Sequence, residues 1–126
     1  MTEGIVGKHA FHVEENMTAS IVGSGTLQVL ATPVLAAQIE RTAWESIANQ
    51  LDAGTCTVGT KLEISHMAPT PVGMWVRCET TLKEVQGRLL IFAVEAYDEK
   101  EQICTGVHER VIVYSERFQT KADAKK

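Results

Sequence analysis

Residues 32–51 read TPVLAAQIERTAWESIANQL, the one stretch of the 126-residue chain with sustained helical periodicity. Thr32 followed by Pro33 is a typical helix start, with a hydroxyl at the N-cap and proline at the first helical position. Asp52-Ala53-Gly54 supplies a plausible stop. The sequence therefore predicts a single long helix from Thr32 to about Leu51.

Strand patterns lie on both sides of this helix. Alternation of apolar and polar residues predicts one strand before it, at 8–15, and four after it, at 58–66, 74–84, 88–97 and 103–114. This order of elements, with short turns between the later strands, predicts an α+β architecture in which an antiparallel sheet packs on one helix. We expect one domain over residues 1–126, with a frayed tail from about residue 119.

Composition and charge exclude several functional classes. Apolar residues make up 44% and charged residues 22%, as in an ordinary globular protein. The net charge of −4 argues against binding to nucleic acid. No apolar run reaches the ~20 residues of a membrane helix, and the first residues lack a secretion signal, so we expect a cytoplasmic protein without membrane contact. The three cysteines form no CxxC pair and no glycine cluster has a nucleotide-binding context, so we expect neither a metal nor a cofactor.

Glu40 is the anomaly of the predicted helix. At ~100° per residue, the apolar residues within about 60° of it are Pro33, Ala36, Ala37, Ala43, Trp44, Ile47 and Leu51. Thr42 and Glu45 lie on the opposite face, which we predict to be solvated. A carboxylate in the middle of an apolar stripe is costly unless it is paired or reached by water. It is therefore either a structural ion pair, for example at a subunit interface, or a carboxylate in a partly dry cleft that takes protons or attacks a carbonyl.

His66 and Thr32 are two further candidates. His66 shares a strand face with Leu62 and Ile64, where a histidine is either structural or, beside a carboxylate, half of an acid–base pair. Capping alone explains Thr32, although the helix dipole favours negative charge beside its hydroxyl. Thr32 and Glu40 are too far apart to touch, because eight positions span roughly 12 Å of helix. Either a ligand spans this distance, the chain before the helix bends back, or two subunits share the site.

Six short motifs follow one another in a characteristic order. They are Ala31-Thr32-Pro33, Gln38-Ile39-Glu40, Gly59-Thr60, Ser65-His66, Thr70-Pro71-Val72-Gly73 and Gly106-Val107-His108-Glu109-Arg110. In this order and spacing, the chain from Gly4 to Phe118 resembles the hotdog-fold acyl-CoA thioesterases of the fluoroacetyl-CoA thioesterase type. The resemblance implies a hotdog fold, in which a curved antiparallel sheet wraps one long helix. It also implies a homodimer or dimer of dimers, with acyl-CoA clefts at the subunit interface.

The resemblance also assigns roles to five residues. Thr32, Glu40 and His66 match the family's catalytic threonine, glutamate and histidine. Gly59 matches a glycine whose backbone N–H helps to bind the thioester oxygen, and Arg110 matches an arginine that is structural or positions CoA. The implied reaction is hydrolysis of an acyl-CoA thioester to a free acid and CoA, with Glu40 as nucleophile or as general base.

One segment departs from the pattern. Residues 24–30, SGTLQVL, lack the aromatic side chains that the fluoroacetate-specialised enzyme carries there, which indicates a broader range of acyl groups. Three alternatives stay open: a non-catalytic hotdog module that binds acyl-CoA or a related ligand, an enzyme that hydrates enoyl thioesters, and a structural dimer without a ligand. Enoyl hydration usually relies on an Asp/His pair, and the predicted helix offers no aspartate before Asp52.

Overall fold

A computed structural model describes all residues of the chain, Met1–Lys126. Its elements, in chain order, are β1 (Val6–His12), α1 (Ala19–Val22), α2 (Thr32–Ile47), β2 (Thr55–His66), β3 (Trp75–Gln86), β4 (Leu89–Tyr97), β5 (Gln102–Tyr114) and α3 (Ser115–Asp123). One 3-10 turn precedes α1 and another continues α2, at Glu15–Met17 and Ala48–Gln50. The five predicted strands and the one long helix are confirmed, with shifts of a few residues at their ends.

The five strands form one antiparallel sheet in the order β1-β3-β4-β5-β2. Strands β1 and β2 are therefore its two edges. An extra residue interrupts the pairing of β2 with β5 at Thr60 and the pairing of β3 with β4 at Lys83. Such bulges bend a strand and increase its twist, which curves the sheet.

Helix α2 packs against the sheet, mainly over β1 and β3. The apolar side chains that it buries completely are Leu35, Ile39, Ala43 and Ile47. They join the inward-facing residues of the strands, among them Val76, Cys78 and Leu82 of β3 and Leu90, Phe92 and Val94 of β4, in one cluster of 16 buried residues. The alternation predicted for β3 is thus confirmed, because every second residue from Val76 to Leu82 is buried.

The buried face of α2 is rotated relative to the prediction. Thr42, predicted to be solvated, is 2% exposed, whereas Trp44, counted in the apolar stripe, is 46% exposed. The Thr42 hydroxyl donates to the carbonyl of Gln38 at 2.7 Å, and this bond lets a polar side chain enter the core. Glu40 consequently lies at the border of the buried face, with 43% of its side chain exposed, and not at its centre.

The end of the chain is helical, whereas the sequence predicted a frayed tail from about residue 119. Helix α3 covers Ser115–Asp123 and buries none of its side chains, so no apolar stripe could reveal it. Gln119 donates to Asp123 at 3.1 Å, a pair of the i, i+4 type that supports exposed helices. Neither α3 nor any other helix is long and apolar enough to cross a membrane.

Candidate active site

The hydroxyl of Thr32 is turned toward His66 and away from the helix that begins there. The N-cap of α2 is Ala31, whose carbonyl accepts the N–H groups of Val34 and Leu35, and no side chain caps this end. Thr32 Oγ1 lies 2.7 Å from Nδ1 of His66, the last residue of β2. The interpretation of Thr32 as the N-cap is therefore wrong, because the helix starts one residue earlier and the hydroxyl is left free to bind the imidazole.

His66 is partly buried and its second ring nitrogen is unpartnered. Burial lowers the pKa of His66, and the backbone of Ala68 opposes this shift only in part. The imidazole is therefore neutral at neutral pH. Its Nε2 atom is buried and has no hydrogen-bond partner. Since buried polar groups nearly always find a partner, this nitrogen is left unsatisfied within one chain, and the ring has to turn or the segment that covers it has to move before a substrate can reach it.

Thr32 and His66 line an open cleft of about 320 Å³ at the start of α2. Its remaining walls are mostly small or aliphatic side chains, including Ala19, Val29, Leu30, Ala31, Met67 and Ala68. No aromatic side chain lines it. The cleft thus offers an apolar surface beside a hydroxyl and a neutral imidazole.

Glu40 lies farther along α2, over the backbone of Gly59 in β2. Its carboxylate occupies the space that a side chain at position 59 would need, because a Cβ atom there would stand 2.7 Å from Glu40 Oε2. The same oxygen is 3.6 Å from Nη1 of Arg110, and no hydrogen bond restrains the carboxylate. Glu40 is thus paired with a guanidinium on one side and half exposed on the other.

Arg110 is the buried cation of this group, with 6% of its surface exposed. Its Nε donates to the Thr57 hydroxyl at 2.8 Å, its Nη2 to the Thr57 carbonyl at 3.0 Å, and its Nη1 to His108 Nε2 at 3.1 Å. Burial lowers the pKa of Arg110, and the charge of Glu40 opposes the shift. The sequence predicted Arg110 in a structural or CoA-positioning role. The structure also places it against Glu40.

Thr57 and His108 were not among the predicted site residues. His108 and Arg110 are two positions apart on β5, so their side chains share its inward face. That pattern alone gave no reason to connect them with Glu40. Thr57 is 53 residues from Arg110 in sequence, so its contact depends on how β2 pairs with β5.

The two groups of candidate residues are separate within one chain. No hydrogen bond or ion pair joins the Thr32–His66 pair to the Glu40–Gly59–Arg110 group. The chain before α2 does not bend back toward Glu40, because Leu30 and Ala31 are bonded to the backbone of Thr70 and Met17. The sequence left three ways to join Thr32 with Glu40 in one site. Two of them remain: a ligand that spans the distance, and a site shared by two subunits.

A second open cleft, of about 380 Å³, lies beside Arg110. Trp44, one helical turn after Glu40, forms part of its wall together with Thr55, Cys56 and Thr57 of β2. Glu40 does not line this cleft, but nearly half of its side chain is exposed, so its ion pair does not seal it off. A carboxylate at such a position can take a proton from water or attack a carbonyl carbon. No group of three His, Cys, Asp or Glu side chains is placed to hold a metal ion.

Replacement of Gly59 by alanine tests this geometry. The new Cβ would stand 2.7 Å from Glu40 Oε2 and 3.3 Å from both Arg110 Nη1 and His108 Cε1, so the carboxylate has to move. For any reaction in which Glu40 takes part, we expect Gly59→Ala to reduce kcat by about 10- to 100-fold, because displacing a reacting group by about 1 Å has an effect of this size. The midpoint of thermal unfolding should fall modestly, since the carboxylate is a flexible side-chain end but Arg110 and His108 are buried and must shift by a few tenths of an ångström. Unchanged turnover would show that the position of Glu40 over Gly59 is irrelevant to activity.

Comparison with known proteins places the chain in a family. The family model of fluoroacetyl-CoA-specific thioesterases matches residues 13–116. The chain belongs to this family. A fluoroacetyl-CoA thioesterase of Streptantibioticus cattleyicolor is 33% identical to it over 98 residues, which are 78% of this chain and 70% of that protein. Membership in the family confirms the resemblance drawn from the ordered motifs.

Solved structures agree with this thioesterase family and with its fold. A fluoroacetyl-CoA-specific thioesterase variant in complex with fluoroacetate and CoA superposes with a TM-score of 0.89 at 29% identity, covering 94% of this chain and 99% of that one. A hot-dog-like protein from Thermanaerovibrio acidaminovorans gives a TM-score of 0.90 at 21% identity over 99% of this chain and 93% of that one. The predicted hotdog fold is confirmed.

Proposed function

We propose that the protein hydrolyses acyl-CoA thioesters with Glu40, His66 and Thr32 brought together in a cleft between two copies of the chain. The reaction class, conversion of an acyl-CoA to a free acid and CoA, follows from membership in the thioesterase family. The observation that supports the assignment of Glu40 is its place over Gly59. There the half-exposed carboxylate lies against Gly59, which has no side chain to separate the carboxylate from a bound carbonyl.

The sheet itself supports a two-chain site. Strand β2 is a 12-residue edge without proline, and a long unpaired edge is suited to pairing with another strand. Antiparallel pairing of two β2 strands about their middle is two-fold symmetric and places the His66 end of one beside the Thr55 end of the other. The Thr32–His66 cleft of one copy would then meet the cleft beside Arg110 of the second, one helical turn from Glu40.

In this arrangement, the thioester carbonyl binds near Gly59, whose N–H stabilises the oxyanion of the tetrahedral intermediate. As a general base, Glu40 takes a proton from water, and the resulting hydroxide adds to the carbonyl carbon. As a nucleophile, Glu40 adds directly, CoA leaves, and water hydrolyses the mixed anhydride. In both routes the C–S bond breaks. In the first, the proton that Glu40 took from water passes through the imidazole of neutral His66, held by Thr32, to the leaving thiolate. In the second, CoA leaves as the thiolate and is protonated by the proton released when water hydrolyses the anhydride, again with His66 as the relay.

The side chains that line the Thr32–His66 cleft indicate which acyl groups it can bind. Its aliphatic walls around Thr32 and His66 contain no aromatic side chain, so we propose a range of short aliphatic acyl groups for this protein. The test is a panel of acetyl-, propionyl-, butyryl-, hexanoyl- and fluoroacetyl-CoA with a thiol-reactive dye that reports free CoA. We expect turnover of several unfluorinated members. Turnover of fluoroacetyl-CoA alone would contradict the broad range, and no thiol release from any member would contradict hydrolysis.

The proposed pairing of β2 predicts the size of the particle in solution. One chain has a mass of 13.8 kDa, so light scattering should report at least twice this value. Met67 donates its N–H to Ile103 of β5, so the alternation of an antiparallel ladder turns the N–H of Leu62 to the free edge. A proline there, as in Leu62→Pro, should weaken the assembly, because proline has no N–H for a ladder between two copies. Activity should fall with the loss of the assembly. A fully active particle with the mass of a single chain would show that one copy carries the complete site.

A further inference from the structure

His108 is buried between α2 and the sheet, with 1% of its surface exposed. Its Nδ1 lies 2.8 Å from the carbonyl oxygen of Lys61, and its Nε2 lies 3.1 Å from Arg110 Nη1. A carbonyl only accepts and a guanidinium only donates, so the tautomer is determined. Nδ1 carries the proton and donates to Lys61, while Nε2 is unprotonated and accepts from Arg110.

This tautomer connects the β2 bulge to the guanidinium. Lys61 directly follows Thr60, the extra residue of β2, so its carbonyl direction is set by the bulge. The Phe92 ring stacks on the imidazole, with the ring centres 6.2 Å apart and the planes at 29°. The ring of His108 is therefore restrained at both nitrogens and on one face. It offers Arg110 an acceptor in a single direction.

Arg110 transmits this restraint to Glu40. Thr57 holds the Nε and Nη2 sides of the guanidinium, whereas only His108 accepts a hydrogen bond from Nη1. The same Nη1 lies 3.6 Å from Glu40 Oε2 and is the nearest cation to that carboxylate. The orientation of Nη1 thus depends on the acceptor that His108 supplies.

We propose that His108 is a positioning residue of the hydrolase: it orients Arg110, and through Arg110 it fixes the Glu40 carboxylate over Gly59. This inference rests on the proposed role of Glu40. In a purely structural role His108 would fill the space beside Phe92 and satisfy the Lys61 carbonyl and Arg110 Nη1, and its loss would lower stability without lowering the kcat of the folded protein. The two directed hydrogen bonds of His108 instead select one orientation of a charged group beside the reacting carboxylate.

The surrounding charges favour the neutral form of His108 that this role requires. Burial lowers its pKa, and the positive charge of Arg110 on the same strand lowers it further. The bond to the Lys61 carbonyl, Glu40 on α2 and Glu109 on β5 act in the opposite direction. Protonation of Nε2 would direct an N–H at the guanidinium and remove its acceptor.

Two amide substitutions separate the bonds of His108. In His108→Asn the amide reaches only the Nδ1 position, so it can keep the bond to Lys61 but not the bond to Arg110. In His108→Gln the amide oxygen reaches the Nε2 position and can accept from Arg110. We expect His108→Asn to lower kcat by about 10- to 100-fold, as for a misplaced reacting group, with KM within about threefold. His108→Gln should recover most of this loss.

A double-mutant cycle with Arg110→Gln provides the second measurement. If His108 acts through Arg110, adding His108→Asn to Arg110→Gln should lower kcat less than about twofold further, because the two residues form one coupled unit. Unfolding followed by circular dichroism gives the folded fraction by which each kcat is normalised. Normal kcat in His108→Asn, equal losses in both amide variants, or additive losses in the cycle would each overturn the inference.

The proposed function can fail separately. Its failure would appear as normal turnover in Glu40→Gln, measured in the same assay without any change at His108. Loss of turnover in Glu40→Gln together with wild-type kcat in His108→Asn would leave the hydrolase site intact and overturn only the positioning role.

Discussion

Replacement of Glu40 by glutamine is expected to lower kcat for acyl-CoA hydrolysis by about 100- to 10,000-fold, the contribution of a general acid–base group. An amide has nearly the shape of the carboxylate but neither takes a proton from water nor attacks a carbonyl. Glu40 is half exposed and makes no hydrogen bond, so its loss should leave the fold intact. Initial rates of thiol release on the best acyl-CoA of the panel, with unfolding curves for both proteins, measure the two effects separately.

Glu45→Gln is the matched control for this experiment. Glu45 lies on the same helix and forms an ion pair with Arg41, whereas Gly59 and Arg110 are approached by Glu40. The substitution removes the same charge from α2, and turnover should stay within about twofold of the wild type, as for other exposed substitutions with small effects. Wild-type rates in Glu40→Gln, or equal losses in the two variants, would show that the carboxylate of Glu40 takes no part in the reaction.

Much of the fold could be predicted because the decisive signals are local. Thr32-Pro33 marks the start of α2, and the alternation from Val76 to Leu82 marks β3 and its buried face. The anomaly of Glu40 was also visible in the sequence, as a carboxylate in the middle of an apolar stripe, although the structure places it at the border of the buried face. Local spacing along one element was sufficient for each of these predictions.

The remaining parts of the site depend on contacts between distant segments. Arg110 meets Glu40 because β5 pairs with β2 in a register that contains an extra residue at Thr60, and no local pattern predicts a bulge of one residue. The rotation of the buried helix face had a different, local origin. Thr42 could enter the core because Gln38 accepts its hydroxyl, a local bond that hydropathy does not register.

Replacement of His66 by asparagine should reduce kcat/KM by about 100-fold or more, because the proton relay at Nε2 is lost. The amide can still reach Thr32 in place of Nδ1.

In the wild type, burial lowers the pKa of His66 from its ordinary value of 6.5, so the neutral form persists into mildly acidic solution. The decrease in kcat/KM that protonation of His66 causes should therefore occur below pH 6.5. Over the same range the unfolded chain binds more protons than the folded one, and the folded state loses stability as the pH falls.

His12→Asn is the control, because the environment of His12 raises the pKa of its imidazole, whereas that of His66 lowers it. The hydrogen bond to Glu14 is the main cause that raises the pKa of His12, an exposed residue at the end of β1 that lines neither cleft. In a titration followed by NMR, the Cε1–H signal of His12 should shift above pH 6.5 and that of His66 below it. His12→Asn should keep both the rate and the acidic limb of the wild type. A His66 signal that titrates above pH 6.5, or an acidic limb that His66→Asn leaves unchanged, would remove neutral His66 from the reaction and leave Glu40 without the relay proposed for it.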